Sequence, residues 1–191
     1  NPRTGRWTMM GVDEEDDKGM GNDDLVGKVQ AQAPPTKSSP IGEIFYGYLM
    51  LCANSFQPAM GYLYRALALQ QSDPLLCLLC GVASLGRSTN RQVDNRNHTI
   101  IQGMALFTHY AELRGDIPEV DYNFARAYHH LNLVHLAVPR YERVLERASS
   151  KASKGTFDMA REAAFNLAMI FTQSGSPDLA RHLYRTWLAV E

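Results

Sequence analysis

Cys77-Leu78-Leu79-Cys80 is the first place where this chain could do chemistry, because the CxxC spacing supplies either half a zinc site or a redox pair. Zinc needs four ligands, and neither a second CxxC nor a His pair stands nearby. A redox pair needs an exposed helix N-terminus beside a strand, whereas these cysteines are embedded among Leu75, Leu76, Leu78 and Leu79. The expectation is two buried free thiols. His129-His130 with His135 suggests a metal cluster, but adjacent side chains on a helix diverge by about 100°. They cannot both face one ion, and His129 or His130 is expected as a contact residue on an exposed helix face. The chain has no Ser/His/Asp set, no glycine-rich phosphate loop and no HExxH helix. No catalysis, cofactor, metal or small-molecule substrate is expected.

The cationic features are local. Arg140, Arg143 and Arg147 fall at i, i+3 and i+7 of one helix face, with Glu142 and Glu146 interleaved. Arg87, Arg91 and Arg96 dot one polar segment, and Lys151 and Lys154 another. Phosphate contacts need only positioned cations, so a nucleic-acid contact fits these groups, as do ordinary solvated faces and loops. Nineteen Lys+Arg against twenty Asp+Glu leave a net charge of -1, which excludes a generally basic nucleic-acid-coating protein. The longest apolar stretch, Pro74 to Gly86, is shorter than the roughly 20 residues a bilayer span requires. Three cysteines argue against a disulfide scaffold and for a reducing compartment. The chain opens at Asn1 without a signal-peptide pattern, and a fragment or processed piece is expected.

The elements that must position these groups begin at Ile41. Residues 1–40 hold Asp13, Glu14, Glu15, Asp16, Asp17, Asp23 and Asp24, then a Pro/Ser stretch through Pro34, Pro35, Ser38, Ser39 and Pro40. With so little to bury, this segment reads as a disordered acidic, Pro/Ser-rich linker; the alternative is an acidic docking motif anchored by Trp7. Beyond it, apolar residues recur at spacings of three and four, punctuated by Gly, Pro or Asn. Helices are expected at about 41–55, 58–72, 74–86, 98–114, 118–132, 135–148, 157–174 and 177–190. Pro58, Pro74, Pro118 and Pro177 stand at or near helix starts, and Asp73 and Ser176 are placed as N-caps.

These eight helices form repeats. When the segment from Pro118 is laid over that from Arg161, Asn123-Phe124-Ala125 meets Asn166-Leu167-Ala168, Tyr128 meets Phe171 and Ala137 meets Ala180. Tyr141 meets Tyr184, Leu145 meets Leu188, and Asn132 meets Gly175 at the turn. Another copy begins near Pro40, with Gly47, Ala59, Leu63 and Ala66 at matching offsets. Small residues there let two helices approach, while a larger one fills the gap to the next pair. This is the tetratricopeptide (TPR) pattern, and the expected fold is an all-α TPR superhelix of about four helix pairs over 41–191. The copies run about 41–73, 74–115, 118–150 and 157–191. The second places Gly103 and Phe107 at the Ala and Tyr offsets and carries a polar loop, Gly86–Asn97. A second insertion, Ser149–Thr156, separates the last two copies; insertions map to loops and often carry function.

Partners of a TPR array usually lie on the concave surface lined by the first (A) helix of each pair. The alignment puts Tyr48 there, with Tyr122, Arg126, His129 and His130 from the third copy and Phe165, Met169 and Gln173 from the fourth. A chaperone-tail clamp would place Lys and Asn where Ile44, Tyr48, Tyr122 and Arg126 stand, so that role is disfavoured. Leu183, Trp187, Leu188 and Val190 make the last helix apolar, implying a close fit onto the fourth copy or a docked partner. Loss of upstream repeats would leave Ile41, Ile44 and Phe45 exposed.

Several runs carry a closer resemblance: Gln102-Gly103-Met104-Ala105-Leu106-Phe107 through Leu113-Arg114-Gly115; Tyr122 to His129; Leu133 to Ala137, running on to Tyr141-Glu142; Glu162 to Ile170; and Gly175. Together they resemble the C-terminal TPR array of the large TPR subunit of transcription factor IIIC, over about Ile41 to Glu191. The resemblance implies a nuclear scaffold that joins its sister subunits to transcription factor IIIB, which recruits RNA polymerase III at tRNA and related genes. DNA would then be met through the complex. A nucleic-acid contact module, or a TPR adaptor outside transcription, stands as the alternative.

Overall fold

The computed structural model describes residues 39–91, 93–149 and 159–189. The acidic linker expected before Ser39, and Lys151 and Lys154 of the second insertion, lie outside them. Every regular element among the described residues is helical: α1 (Pro40–Cys52), α2 (Phe56–Leu69), α3 (Pro74–Ser88), α4 (Arg96–Arg114), α5 (Pro118–His130), α6 (Val134–Ser149), α7 (Ala160–Gln173) and α8 (Pro177–Leu183). The last continues into a π-helical turn over Tyr184–Leu188.

Pro40, Pro74, Pro118 and Pro177 each occupy the first helical position, where a missing N–H costs nothing in the helix ladder. Pro58 does not mark a start: α2 begins at Phe56, and Pro58 is its third residue. The Asp73 carboxylate caps α3, accepting from Leu75 N at 2.8 Å and Leu76 N at 3.3 Å. Ser176 holds the cap position of α8 without a side-chain bond. Asn95 does cap, accepting from His98 N at 2.9 Å, and α4 therefore starts at Arg96.

Three of the turns within pairs are built alike. Asn54, Asn132 and Gly175 all have left-handed backbone, with φ of 55°, 61° and 79°. In each, the next residue donates its N–H back across the helix end: Ser55 to Met50 O at 2.8 Å, Leu133 to Tyr128 O at 2.9 Å, and Ser176 to Phe171 O at 2.8 Å. Left-handed backbone costs an ordinary L-residue about 1–2 kcal/mol, a cost that Asn and Gly largely avoid. Asn132→Ala should therefore lower the thermal midpoint while Asn132→Gly leaves it unchanged or raised, in parallel melts. Among the described residues between α3 and α4 none has left-handed backbone, and a polar loop stands in place of the tight turn.

Small residues bring the paired helices together. Ala59, Ala137 and Ala180 are buried at one repeat offset. At Gly47 an added Cβ would stand 2.6 Å from Leu63 Cγ, and at Gly81 it would stand 2.7 Å from Phe107 Cδ2. Neighbouring pairs then share apolar cores. Leu63, Leu76 and Cys80 join the first pair to the second. Cys77, Phe107 and Phe124 join the second to the third. Tyr122, Tyr141, Leu167 and Leu183 join the third to the fourth. The two CxxC thiols thus face different cores. Burial pushes Cys77 up and Cys80 up to about 12, which leaves both thiols protonated and inert.

At the N-terminal end, Ile41 and Phe45 are 78% and 58% exposed. Ile44 differs from expectation, because it turns inward and packs against the first core. At the other end Leu183 is buried and Trp187 packs on the last core, which favours the close fit of the final helix onto its pair.

Candidate functional site

On α5, Tyr122, Arg126 and His130 recur every four residues and so share one helical face, with His129 at its edge. Three hollows meet on that face. The first, about 290 Å³, is lined by Leu51 of α1, Phe56 of α2, Val82 and Leu85 of α3, Phe107 of α4, and Asn123, Arg126 and His130 of α5. The second, about 270 Å³, lies among Arg126, His129, His130, Tyr141 and Asn166. The third, about 460 Å³, is bounded by Tyr122, Arg126, Arg161, Glu162, Phe165, Asn166 and Leu188. Arg126 borders all three.

Arg126 also differs electrostatically from Arg65, Arg114 and the arginines of α6. Arg65 grips the buried Glu43, with Nη2 2.8 Å from its carboxylate, and Arg114 pairs with Glu119. Among the described residues no hydrogen bond or ion pair engages Arg126, whose guanidinium lies 6.0 Å from the Tyr122 ring centre. Tyr122 is not a surface contact residue in the simple sense expected. It is buried in the core between the third and fourth pairs, its ring edge-on to Tyr141 at 6.1 Å, and its hydroxyl accepts from Asn166 Nδ2 at 3.3 Å. Ala125 and Ala168 belong to the same buried core.

His129 and His130 both border the second hollow, His129 edge-on to the Tyr141 ring at 6.3 Å. Burial, aided by the charge of His130, holds the His129 imidazole below its ordinary pKa. Among the described residues no group of His, Cys, Asp and Glu is arranged to hold a metal ion. Phe165 is exposed and lines the third hollow. Tyr48, Met169 and Gln173 are exposed on α1 and α7 but line none of the three. Asn123, Asn166, Arg161 and Val82 were not singled out in the sequence. Asn123 and Asn166 left a trace there, standing at one repeat offset on otherwise apolar stretches.

The cationic face of α6 is engaged within the array. Arg140 Nη1 donates to Asp121 Oδ1 at 2.6 Å, and Arg143 and Arg147 donate to Asp116 Oδ1 at 2.9 and 2.6 Å. Asp121 is 2% exposed. Its Oδ2 has no well-aligned hydrogen bond, but Arg143 Nε and Arg147 Nη1 stand 3.3 and 3.7 Å away. These pairs tie the start of α5 to α6. Arg87, Arg91 and Arg96 engage no carboxylate among the described residues.

The Arg147 hydrogen bond, with the charges of Arg147 and Arg143, holds Asp116 below its ordinary pKa of 3.8. A carboxyl with a depressed folded pKa contributes stability above the unfolded value and loses it as pH falls through the folded one. Wild type should therefore melt above Asp116→Asn at pH 6, and the two curves should converge below pH 3.8.

No family model matches the chain. Three curated proteins are similar to it. Fission yeast (Schizosaccharomyces pombe) transcription factor tau subunit sfc4 is 35% identical over 169 residues, covering 81% of this chain and 17% of its own length. The Saccharomyces cerevisiae transcription factor tau 131 kDa subunit is 32% identical over 163 residues, covering 82% and 15%. Human general transcription factor 3C polypeptide 3 is 28% identical over 150 residues, covering 77% and 17%. The chain thus spans about a sixth of the length of the relatives it matches.

Proposed function

Over this segment the chain belongs to the family of TPR-containing transcription factor IIIC subunits, and on that premise we propose that its A-helix groove is a protein-docking surface within that complex. The partners in this reading are sister subunits of transcription factor IIIC and components of transcription factor IIIB. The outcome is recruitment of RNA polymerase III to tRNA and related genes in the nucleus. The repeats about 41–73, 74–115, 118–150 and 157–191 form the scaffold, residues 1–40 tether it, and DNA is reached through the complex. The relatives are transcription factor subunits rather than enzymes, in keeping with a site built for binding.

The observation that carries this reading is the convergence of three hollows on an exposed arginine that no carboxylate among the described residues engages. Hollows that combine aliphatic and aromatic side chains with Arg, Tyr and Asn match the composition of interface cores. Direct DNA contact through Arg140, Arg143 and Arg147 is the weaker reading, because phosphates would have to compete with Asp116 and Asp121.

Affinity capture from nuclear extract tests the proposal. Tyr122 is unsuitable for truncation, since Tyr122→Ala would open the core; Arg126→Ala combined with Phe165→Ala removes exposed groups only. Wild type should retain transcription factor IIIC and IIIB components, and the double variant should lose at least about tenfold of them at unchanged helix content. Equal retention by both proteins would refute the groove as the docking surface.

A further inference from the structure

Tyr141 points to the chemistry of the partner. Its side chain is fully buried, and its hydroxyl has no hydrogen-bond partner among the described residues. Tyr141 is one of the residues lining the second hollow, together with Arg126, His129, His130 and Asn166. A buried O–H without an acceptor is costly, and each such group calls for an explanation. Here the hollow offers the Tyr141 side chain, a guanidinium that no carboxylate among the described residues engages, and two imidazoles. Among the described residues no carboxylate lines it; Glu162 borders only the adjoining third hollow.

We propose that this hollow receives the side-chain carboxylate of an acidic residue in a partner segment, bound by Arg126 and by the Tyr141 hydroxyl, while a neighbouring bulky apolar side chain enters the first hollow against Val82 and Phe107. The inference rests on the groove being the docking surface and adds what the partner must carry. Because Arg126 borders a hollow on either side, the segment has to run on past the arginine in both directions. That favours an internal Asp or Glu over a chain end. Charge complementarity selects the same ligand, since an ionised donor roughly doubles the strength of a hydrogen bond. The groups facing His129 are Arg126 and His130 from α5, Tyr141 from α6 and Asn166 from α7. None of them is anionic, so an arriving carboxylate favours the imidazolium, and binding should tighten between pH 7.5 and 6.

The probe is a positional-scanning array of nonapeptides, acetylated and amidated, against the 191-residue chain. Wild type should select Asp or Glu beside a bulky apolar residue. Arg126→Gln should abolish the acidic preference, and Tyr141→Phe should weaken the selected peptide about tenfold. Tyr141→Phe deletes an unpartnered hydroxyl, so its melting temperature should be unchanged or raised, which separates loss of binding from loss of fold. Selection of uncharged peptides, or of peptides only with a free C-terminus, would overturn the proposal, as would acidic selection that survives Arg126→Gln. Nuclear capture by Arg126→Gln alone distinguishes the two readings. Partners lost with Phe165→Ala but kept with Arg126→Gln leave the groove standing and remove the carboxylate.

Discussion

Phe107→Ala is expected to lower stability by about 3–5 kcal/mol, the range for deleting a buried aromatic side chain. Phe107 is 2% exposed, stands edge-on to Phe124 at 5.6 Å and lies against Gly81, so its ring fills the seam between the second and third pairs. Gly81 cannot close the void, having no side chain to move into it. For a domain of this size the loss should lower the melting temperature by roughly 6–20 °C. A repeat array is stabilised by nearest-neighbour interfaces, so weakening one seam should also split a single thermal transition into two. A single transition shifted by less than about 2 °C would contradict the packing described.

Asp121→Ala is the second large effect. It leaves Arg140, Arg143 and Arg147 crowded at a site designed around two carboxylates, one of them buried. Removing one partner of a buried pair costs about 3–5 kcal/mol. The three arginines are 25–44% exposed and can turn partly to water, so roughly 2–3 kcal/mol is expected. The check is urea unfolding of wild type, Asp121→Ala and Asp121→Ala/Arg140→Ala. The double variant should recover part of the loss, because it removes one of the stranded charges. A further loss on adding Arg140→Ala would mean that the arginine packs rather than pairs.

Much of the fold was legible because repeats expose themselves at several levels at once. Asn132 and Gly175 coincide in the alignment, and both have left-handed backbone closing the same turn. Ala137 and Ala180 coincide and are both buried. The expectation failed where a side chain's depth, rather than its face, mattered. The 3.6-residue period correctly put Tyr122 beside Arg126, yet one residue enters the core and the other stays in solvent, a difference that appears only once the third and fourth pairs are packed together. Arg140, Arg143 and Arg147 likewise form a real helix stripe, but their carboxylates lie 19 to 31 residues earlier, beyond any local pattern. Tyr141 was legible as a repeat position. That its hydroxyl lacks a partner among the described residues emerges only when α5, α6 and α7 are assembled.

The central claim is that partners lie in the groove around Arg126, and site-specific photo-crosslinking addresses it most directly. A photoreactive amino acid would replace His130 or Phe165 in the groove, or Glu142 on the exposed side of α6, in the chain assembled with its nuclear partners. Adducts to a transcription factor IIIC or IIIB subunit should form from the first two positions and not from Glu142. Adducts from Glu142 alone would place the partner on the outer face of α6 and contradict the account.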